Sequence, residues 1–243
     1  MALKKQPPES IDRRQVSKMF DGIAANYDRS NRWLSFGRDL AWRRVCMRHL
    51  EPGEKRLRVL DLATGTADVL VALHRAYGAK VWGTGADFSP GMLEQARRKL
   101  HAQGLDRVFS LVRGDATRLG LADHTFDRVT IAFGVRNLMD TGAGLREMHR
   151  ILKPGGRALV LEFSLPGNAL FRSLYLFYFR HILPALGGLI AGDIAAYRYL
   201  NRTVETFPYG EAFCALMRDA GFTNVTALPL SWGIATLYLA DKK

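Results

Sequence analysis

Between residues 57 and 68 the chain reads L-R-V-L-D-L-A-T-G-T-A-D, and the pattern changes character halfway. Residues 57–62 are apolar apart from Arg58 and Asp61, as expected of a strand buried on both faces of a parallel sheet. The next five residues are small and polar. Beyond Asp68, the residues Val69, Ala72, Leu73 and Ala76 recur at helical spacing and predict one buried helix face. Strand, glycine turn and helix form the opening unit of a doubly wound α/β domain, in which ligands bind at the carboxyl ends of the strands. A plain turn without a ligand fits this stretch equally well, because one glycine turn says little alone.

The alternation continues. A second strand fits residues 80–86 and is closed by Asp87; a helix follows over 89–103, with Ser89 as N-cap and Pro90 at its first position. A third strand fits 108–113, ahead of Gly114, Asp115 and Ala116. A fourth, over 126–133, leads into G-V-R-N. The helix predicted over 143–152 breaks at K-P-G-G, and the aliphatic run 157–163 reads as a central strand. Residues 165–207 leave this rhythm. They are rich in Leu, Phe and Tyr and predict an apolar helical insertion. A helix over 208–220 stops at Gly221. Two last strands, 224–230 and 235–240, are joined by Ser231, Trp232 and Gly233 closely enough to form an antiparallel hairpin.

Ahead of the first strand, residues 1–10 read as a disordered polar tail. Residues 11–52 mix large apolar and aromatic side chains with Asp, Asn and Arg. They predict helices lying over a pocket mouth, or a helical pair that merely packs on the sheet. The clustering of Tyr27, Asp28 and Asn31 favours the cover. Residues 11–243 are thus expected to form one α/β domain.

Composition narrows the classes. At 243 residues the chain can bury a full core. Its two cysteines, Cys46 and Cys214, lie far apart and in no ligand spacing. That argues against a disulfide scaffold or a zinc cluster and points to a reducing cytosol. No metal is expected. The net charge is +12, and residues 1–56 carry 13 Lys and Arg against 7 Asp and Glu. Such an excess attracts an anionic partner, a membrane surface or a nucleic acid, although solubility alone also accounts for it. Residues 1–10 lack the apolar core of a signal peptide. The longest apolar run, 174–192, is interrupted by Arg180, His181 and Pro184, short of the ~18 residues of a membrane span.

Gly65 and Asp87 are 22 residues apart, close to the ~20 separating a glycine turn from a ribose-binding acid. Asp87 would then accept both ribose hydroxyls; the alternative is an acid stabilising a helix N-terminus. The fingerprint G-x-G-x-x-G is absent, and Asp68 at the helix start is unfavourable for a pyrophosphate. A ligand carrying an ammonium and a sulfonium suits that acid better, and S-adenosylmethionine carries both.

Several segments are specific: M-F-D-G-I-A-A-N-Y-D-R-S-N, D-L-A-T-G-T-A-D, A-D-F-S-P-G-M-L, F-D-R-V-T-I-A-F-G-V-R-N, L-K-P-G-G-R and L-E-F-S-L-P. Through them the chain resembles the ubiquinone/menaquinone biosynthesis C-methyltransferases over about residues 16–239. The resemblance implies a Rossmann-like, seven-stranded, mostly parallel sheet with the C-terminal hairpin. It also implies transfer of a methyl from S-adenosylmethionine to a ring carbon of a prenylated quinol. By the family pattern Thr66, Asp87, Asp115 and Ala116 contact the cofactor, with Asp87 at the ribose and the Asp115–Ala116 pair beside the adenine. Asp61, Gly65, Phe88 and Ala132 complete that set. Arg136 and Asn137 stand where the family places residues that assist substrate deprotonation, with Tyr27 and a water. A guanidinium stays protonated, so Arg136 is expected to stabilise a phenolate and hold the water; a structural ion pair is the alternative.

The chain departs from the family pattern in two places. Ala67 replaces a usual glycine, at a cost of about 1 kcal/mol if the position needs positive φ. Ala132 replaces a serine in many members and removes a hydrogen bond worth about 0.5–1.5 kcal/mol.

The insertion reads as the core of a helical lobe, as a groove for an isoprenoid tail, or as a segment dipping into lipid headgroups. The expected partners are a prenylated quinol and a membrane surface contacted peripherally from the cytoplasmic side, with a homodimer left open. No nucleic-acid partner is expected, since charge alone supports an RNA methyltransferase and no RNA-binding signature accompanies it. A phospholipid or sterol methyltransferase, or a cofactor-binding protein without turnover, remains as an alternative. Labelled cofactor offered to quinols and lipids distinguishes the first, and binding beside a dead assay the second.

Overall fold

The computed structural model describes residues 13–184 and 194–243. Five strands run parallel: β1 (Leu57–Leu62), β2 (Val81–Asp87), β3 (Phe109–Arg113), β4 (Phe126–Ala132) and β5 (Leu152–Phe163). The chain then adds β6 (Thr223–Leu230) and β7 (Ala235–Asp241), and β7 lies antiparallel between β5 and β6. The strand order is β3–β2–β1–β4–β5–β7–β6. The order reverses between β1 and β4, which opens a crevice at their carboxyl ends. Gly83 permits β2 to lie this close to β1, since a Cβ there would stand 1.8 Å from the Val59 carbonyl oxygen.

Among the described residues nine helices accompany the sheet. The cover consists of α1 (Arg13–Ile23), α2 (Tyr27–Leu34) and α3 (Arg38–Arg48). Next come α4 (Asp68–Tyr77), α5 (Pro90–Ala102) and α6 (Thr141–Ile151). The insertion contributes α7 (Ala169–Phe177), continued by a π turn over Tyr178–Ile182, and α8 (Ile194–Thr206); α9 (Glu211–Asp219) follows. One apolar layer joins α3, α4 and α5 to the sheet through Trp42, Leu70, Leu73 and Leu100. The other joins α6 and α9 through Leu145, Met148, Phe213 and Met217. Tyr175, Phe179, Leu183 and Val204 give the insertion a small core of its own.

The Ser89 cap forms as expected, accepting from the Met92 N–H at 3.0 Å. Three readings are corrected. First, α4 buries Val69, Leu70, Val71 and Leu73 and leaves Ala76 exposed. It is wedged between β2 and α3 and so has no single buried stripe. Second, K-P-G-G ends α6 but belongs to β5, because the Gly155 N–H donates to the Lys242 carbonyl at 2.8 Å and draws the turn into the sheet. Third, α9 starts at Glu211 rather than 208. Gly210, at φ +60°, caps it and donates its N–H to the Tyr238 hydroxyl at 2.7 Å. The predicted tail, 1–10, lies outside the described residues. No helix among the described residues is long and apolar enough to cross a membrane.

Candidate active site

The turn after β1 places three residues in the left-handed region, Ala63 (φ +47°), Gly65 (φ +55°) and Ala67 (φ +68°). That geometry aims the Gly65 N–H at Asp87 Oδ2, 2.8 Å away, while Asp87 Oδ1 accepts from the Ser89 N–H at 2.9 Å. Asp87 therefore clasps the turn to the start of α5. Burial raises its carboxyl above the usual range, and the Ser89 and Gly65 N–H groups partly offset this. Asp61 lies beneath the turn and accepts from Thr130 Oγ1 at 2.6 Å and Thr64 Oγ1 at 2.7 Å. Burial pushes it up to about 7 despite both bonds.

A cavity of about 120 Å³ opens at these strand ends. Its wall brings together Tyr27, Gly65, Asp87, Phe88, Asp115, Ala116, Ala132 and Asn137 from the expected set, while Asp61, Thr66 and Arg136 lie outside it. The Thr66 hydroxyl is engaged elsewhere, donating to Asp28 at 2.6 Å and accepting from Lys99 at 2.9 Å. Asp68 was expected to suit a ligand ammonium. Instead it pairs with Lys99 and Arg32, each at 2.6 Å. Its burial alone would raise the carboxyl, but Lys99, Arg43 and Arg32 hold it down at about 2. This acid ties the cover to the turn. Asp21 of α1 adds a second tie, accepting from Ser89 Oγ at 2.5 Å and the Gly91 N–H at 2.8 Å.

A second cavity, of about 810 Å³, adjoins the first and shares Phe20, Tyr27 and Phe133 with it. The cover, the insertion and the end of β5 enclose it mainly with apolar and aromatic groups such as Trp42, Phe179 and Phe163. The F-G-V-R-N segment forms the junction. Phe133 turns at φ +59°, and Gly134 packs where a Cβ would stand 2.5 Å from Ala63 Cβ. This locks the segment to the β1 turn.

Arg136 then enters the large cavity with Nη1 2.7 Å from Glu162 Oε1, the two side chains being 6% and 0% exposed. Asn137 Oδ1 accepts from the Tyr199 hydroxyl at 3.1 Å. Desolvation by the surrounding protein raises the Tyr27 hydroxyl, so at neutral pH it is a donor rather than a base; Asn31 and Arg136 act the other way.

The sequence pattern did not single out Glu162, Lys99, Tyr199 or Arg43. Glu162 had a signal, as a lone acid in an aliphatic strand. Arg43 had none that set it apart from Arg44 beside it.

The model of the ubiE/COQ5 methyltransferase family matches residues 9–242. The demethylmenaquinone methyltransferase of Thermus thermophilus is 49% identical over 226 residues, covering 92% of this chain and 100% of that protein. The ubiquinone/menaquinone biosynthesis C-methyltransferase UbiE of Geotalea uraniireducens is 43% identical over 228 residues, covering 94% and 96%. In fold, the chain is similar to a putative S-adenosyl-L-methionine-dependent methyltransferase from Methanococcus maripaludis, with a TM-score of 0.66 at 20% identity over 100% of this chain and 97% of the other.

Proposed function

The chain belongs to the ubiE/COQ5 methyltransferase family, and from that premise we infer that it methylates a ring carbon of a prenylated demethylquinol with S-adenosylmethionine. The observation that carries this reading is the junction of the two cavities. A crevice organised by Asp87 opens beside a large apolar chamber, and a buried guanidinium, Arg136, lines that chamber.

The crevice suits the cofactor. A Cβ on Gly65 would meet nothing within 4 Å, so the backbone there faces open space. Asp87 would hold the ribose, and Phe88, Asp115 and Ala116 would border the adenine, with Leu138 and Met139 closing the slot. The crevice alone is smaller than a usual ligand site of roughly 300–1,000 Å³. It gains room from the adjoining chamber, and outward movement of α1, which supplies Val16, Ser17 and Phe20 to its wall, would widen it further. The cofactor supplies an electrophilic methyl. Everything else falls to the protein. A quinol carbon becomes nucleophilic when the neighbouring hydroxyl ionises. Arg136 stabilises the oxygen that bears the charge, Glu162 fixes the guanidinium, and Tyr27 donates a hydrogen bond. Asn137, braced by Tyr199, holds the water that removes the hydroxyl proton. Once the methyl has passed to the ring carbon, leaving the sulfonium as a thioether, that carbon gives up its hydrogen as a proton and the oxygen is reprotonated. The ring becomes aromatic again, with one proton released overall. The apolar walls take the isoprenoid tail and exclude other water.

The same reading includes peripheral contact with the cytoplasmic face of a membrane. Phe36, Leu174 and Trp232 line the large cavity while being 79%, 65% and 82% exposed, and Phe177 is exposed nearby on α7. An apolar, aromatic rim around the mouth suits a substrate drawn from lipid. Vesicle flotation tests it: Phe36→Ser/Trp232→Ser should lose binding, whereas concentration-dependent dimerisation through these residues without lipid binding would make the rim a homodimer seal.

Methyl-labelled cofactor offered to reduced demethylquinol, phospholipid and sterol tests the activity. Label is expected in the quinol alone, and label in either lipid overturns the reading.

A further inference from the structure

Ser30, Arg43 and Arg136 line the large cavity, and each carries a buried polar atom with no hydrogen-bond partner among the described residues: Ser30 Oγ, Arg43 Nε and Arg136 Nε. A buried donor left without an acceptor is unfavourable, and two of these three sit on guanidinium groups. Arg43 lies with its guanidinium carbon 5.4 Å from the Phe133 ring, and Arg136 lies 5.4 Å from the Phe163 ring; those rings are 4.6 Å apart. Both cations act on the Tyr27 hydroxyl. They therefore flank one aromatic wall of one chamber.

Arg43 is also held in place. Its Nη1 donates to Asp39 Oδ2 at 2.8 Å, one turn earlier on α3, and Asp39 Oδ1 in turn accepts from Ser35 Oγ at 2.9 Å. Pinned along one edge by Asp39, the guanidinium stands over the Phe133 ring in the wall of the chamber.

A quinol ring carries two oxygens on opposite sides. Ionisation of the hydroxyl beside the reacting carbon puts negative charge on that carbon; the oxygen across the ring is meta to it and adds none. With one polar anchor the ring can pivot, and a pivot changes which carbon faces the methyl donor. A second anchor removes that freedom.

We propose that Arg43 binds the second ring oxygen of the quinol, the one across the ring from the ionising hydroxyl, and so fixes which ring carbon is presented for methylation. This rests on the quinol reading above. Arg136 handles the charge that develops, and Arg43 handles orientation.

The test compares wild type, Arg43→Met and Arg43→Lys on a demethylquinol and on its analogue with the distal hydroxyl replaced by hydrogen. In wild type, kcat/KM for the analogue should fall roughly ten- to hundredfold, the range of a hydrogen bond to a charged group. Arg43→Met should cost the demethylquinol roughly the ten- to hundredfold that separates the two substrates in wild type and cost the analogue far less, so that the difference between them collapses. Arg43→Lys should restore part of the difference. Cofactor affinity by calorimetry should stay constant across all three. Equal losses on both substrates in Arg43→Met would overturn the assignment, reducing Arg43 to a structural partner of Asp39. So would a wild type that does not discriminate, and that result needs no variant to fold. A wild type inactive on the demethylquinol would instead overturn the quinol reading itself.

Discussion

Arg136 reaches Glu162 across 2.7 Å in a region where Glu162 has no solvent exposure, and Glu162 also accepts from the Phe163 N–H at 2.8 Å. The pair joins F-G-V-R-N, after β4, to L-E-F-S-L-P at the end of β5. The geometry makes the arginine a structural partner of Glu162, and substitutions can separate that role from the proposed stabilisation of a phenolate.

Arg136→Ala leaves a buried carboxylate unpaired and should lower stability by about 3–5 kcal/mol. Arg136→Met/Glu162→Gln removes both charges while keeping an acceptor for the Phe163 N–H. It should recover at least half of that loss in urea unfolding, yet remain roughly a hundredfold or more below wild type in turnover. Recovered turnover in the double variant would remove the phenolate role.

Asp61 predicts a pH dependence. Its carboxyl is raised to about 7 in the folded protein by burial, against about 3.9 unfolded. Below pH 4 both states hold the proton. Between pH 4 and 7 the unfolded chain ionises first, so Asp61 withdraws stability as pH rises, levelling off above 7 at a few kcal/mol. The unfolding free energy of wild type minus that of Asp61→Asn should therefore decline across this window. A flat difference would mean that Asp61 is ionised in the folded state.

Ala67 turns at φ +68° with its side chain fully buried. Ala67→Gly relieves left-handed strain of about 1–2 kcal/mol, but gives up a buried methyl worth about 0.8 kcal/mol and loosens the unfolded chain. It should lie within about 1 kcal/mol of wild type. Ala67→Val places a β-branched residue there and should cost about 3 kcal/mol or more, measured by urea unfolding. A well-tolerated valine would contradict the left-handed turn.

Asp21 ties α1 to the start of α5 above the crevice. Asp21→Ala should raise the association and dissociation rates of the cofactor several-fold in stopped-flow binding. Unchanged rates would show that α1 does not gate entry.

The sheet and the crevice were legible because periodicity and turn chemistry are local signals. Leu57–Leu62, the Ser89 cap and the closing hairpin all follow from neighbouring residues. What escaped was pairing between distant segments. Lys99, 31 residues beyond Asp68, claims that acid, and Glu162, 26 residues beyond Arg136, claims that cation. Nothing in the spacing announces either pair. The buried face of α4 was misjudged for a related reason. A helix wedged between β2 and α3 buries more than one stripe, and periodicity assumes one. The Ala67 question was posed correctly by the chain, and only the backbone angle answers it.

The central claim is carbon methylation driven by ionisation of the adjacent hydroxyl. It is tested most directly by NMR of the product formed with ¹³C-methyl cofactor from two substrates, a reduced demethylquinol and the same quinol with that hydroxyl capped as an ether. The account predicts a methyl on the ring carbon of the first and no transfer to the second. Carbon methylation of the capped quinol at a comparable rate would contradict it.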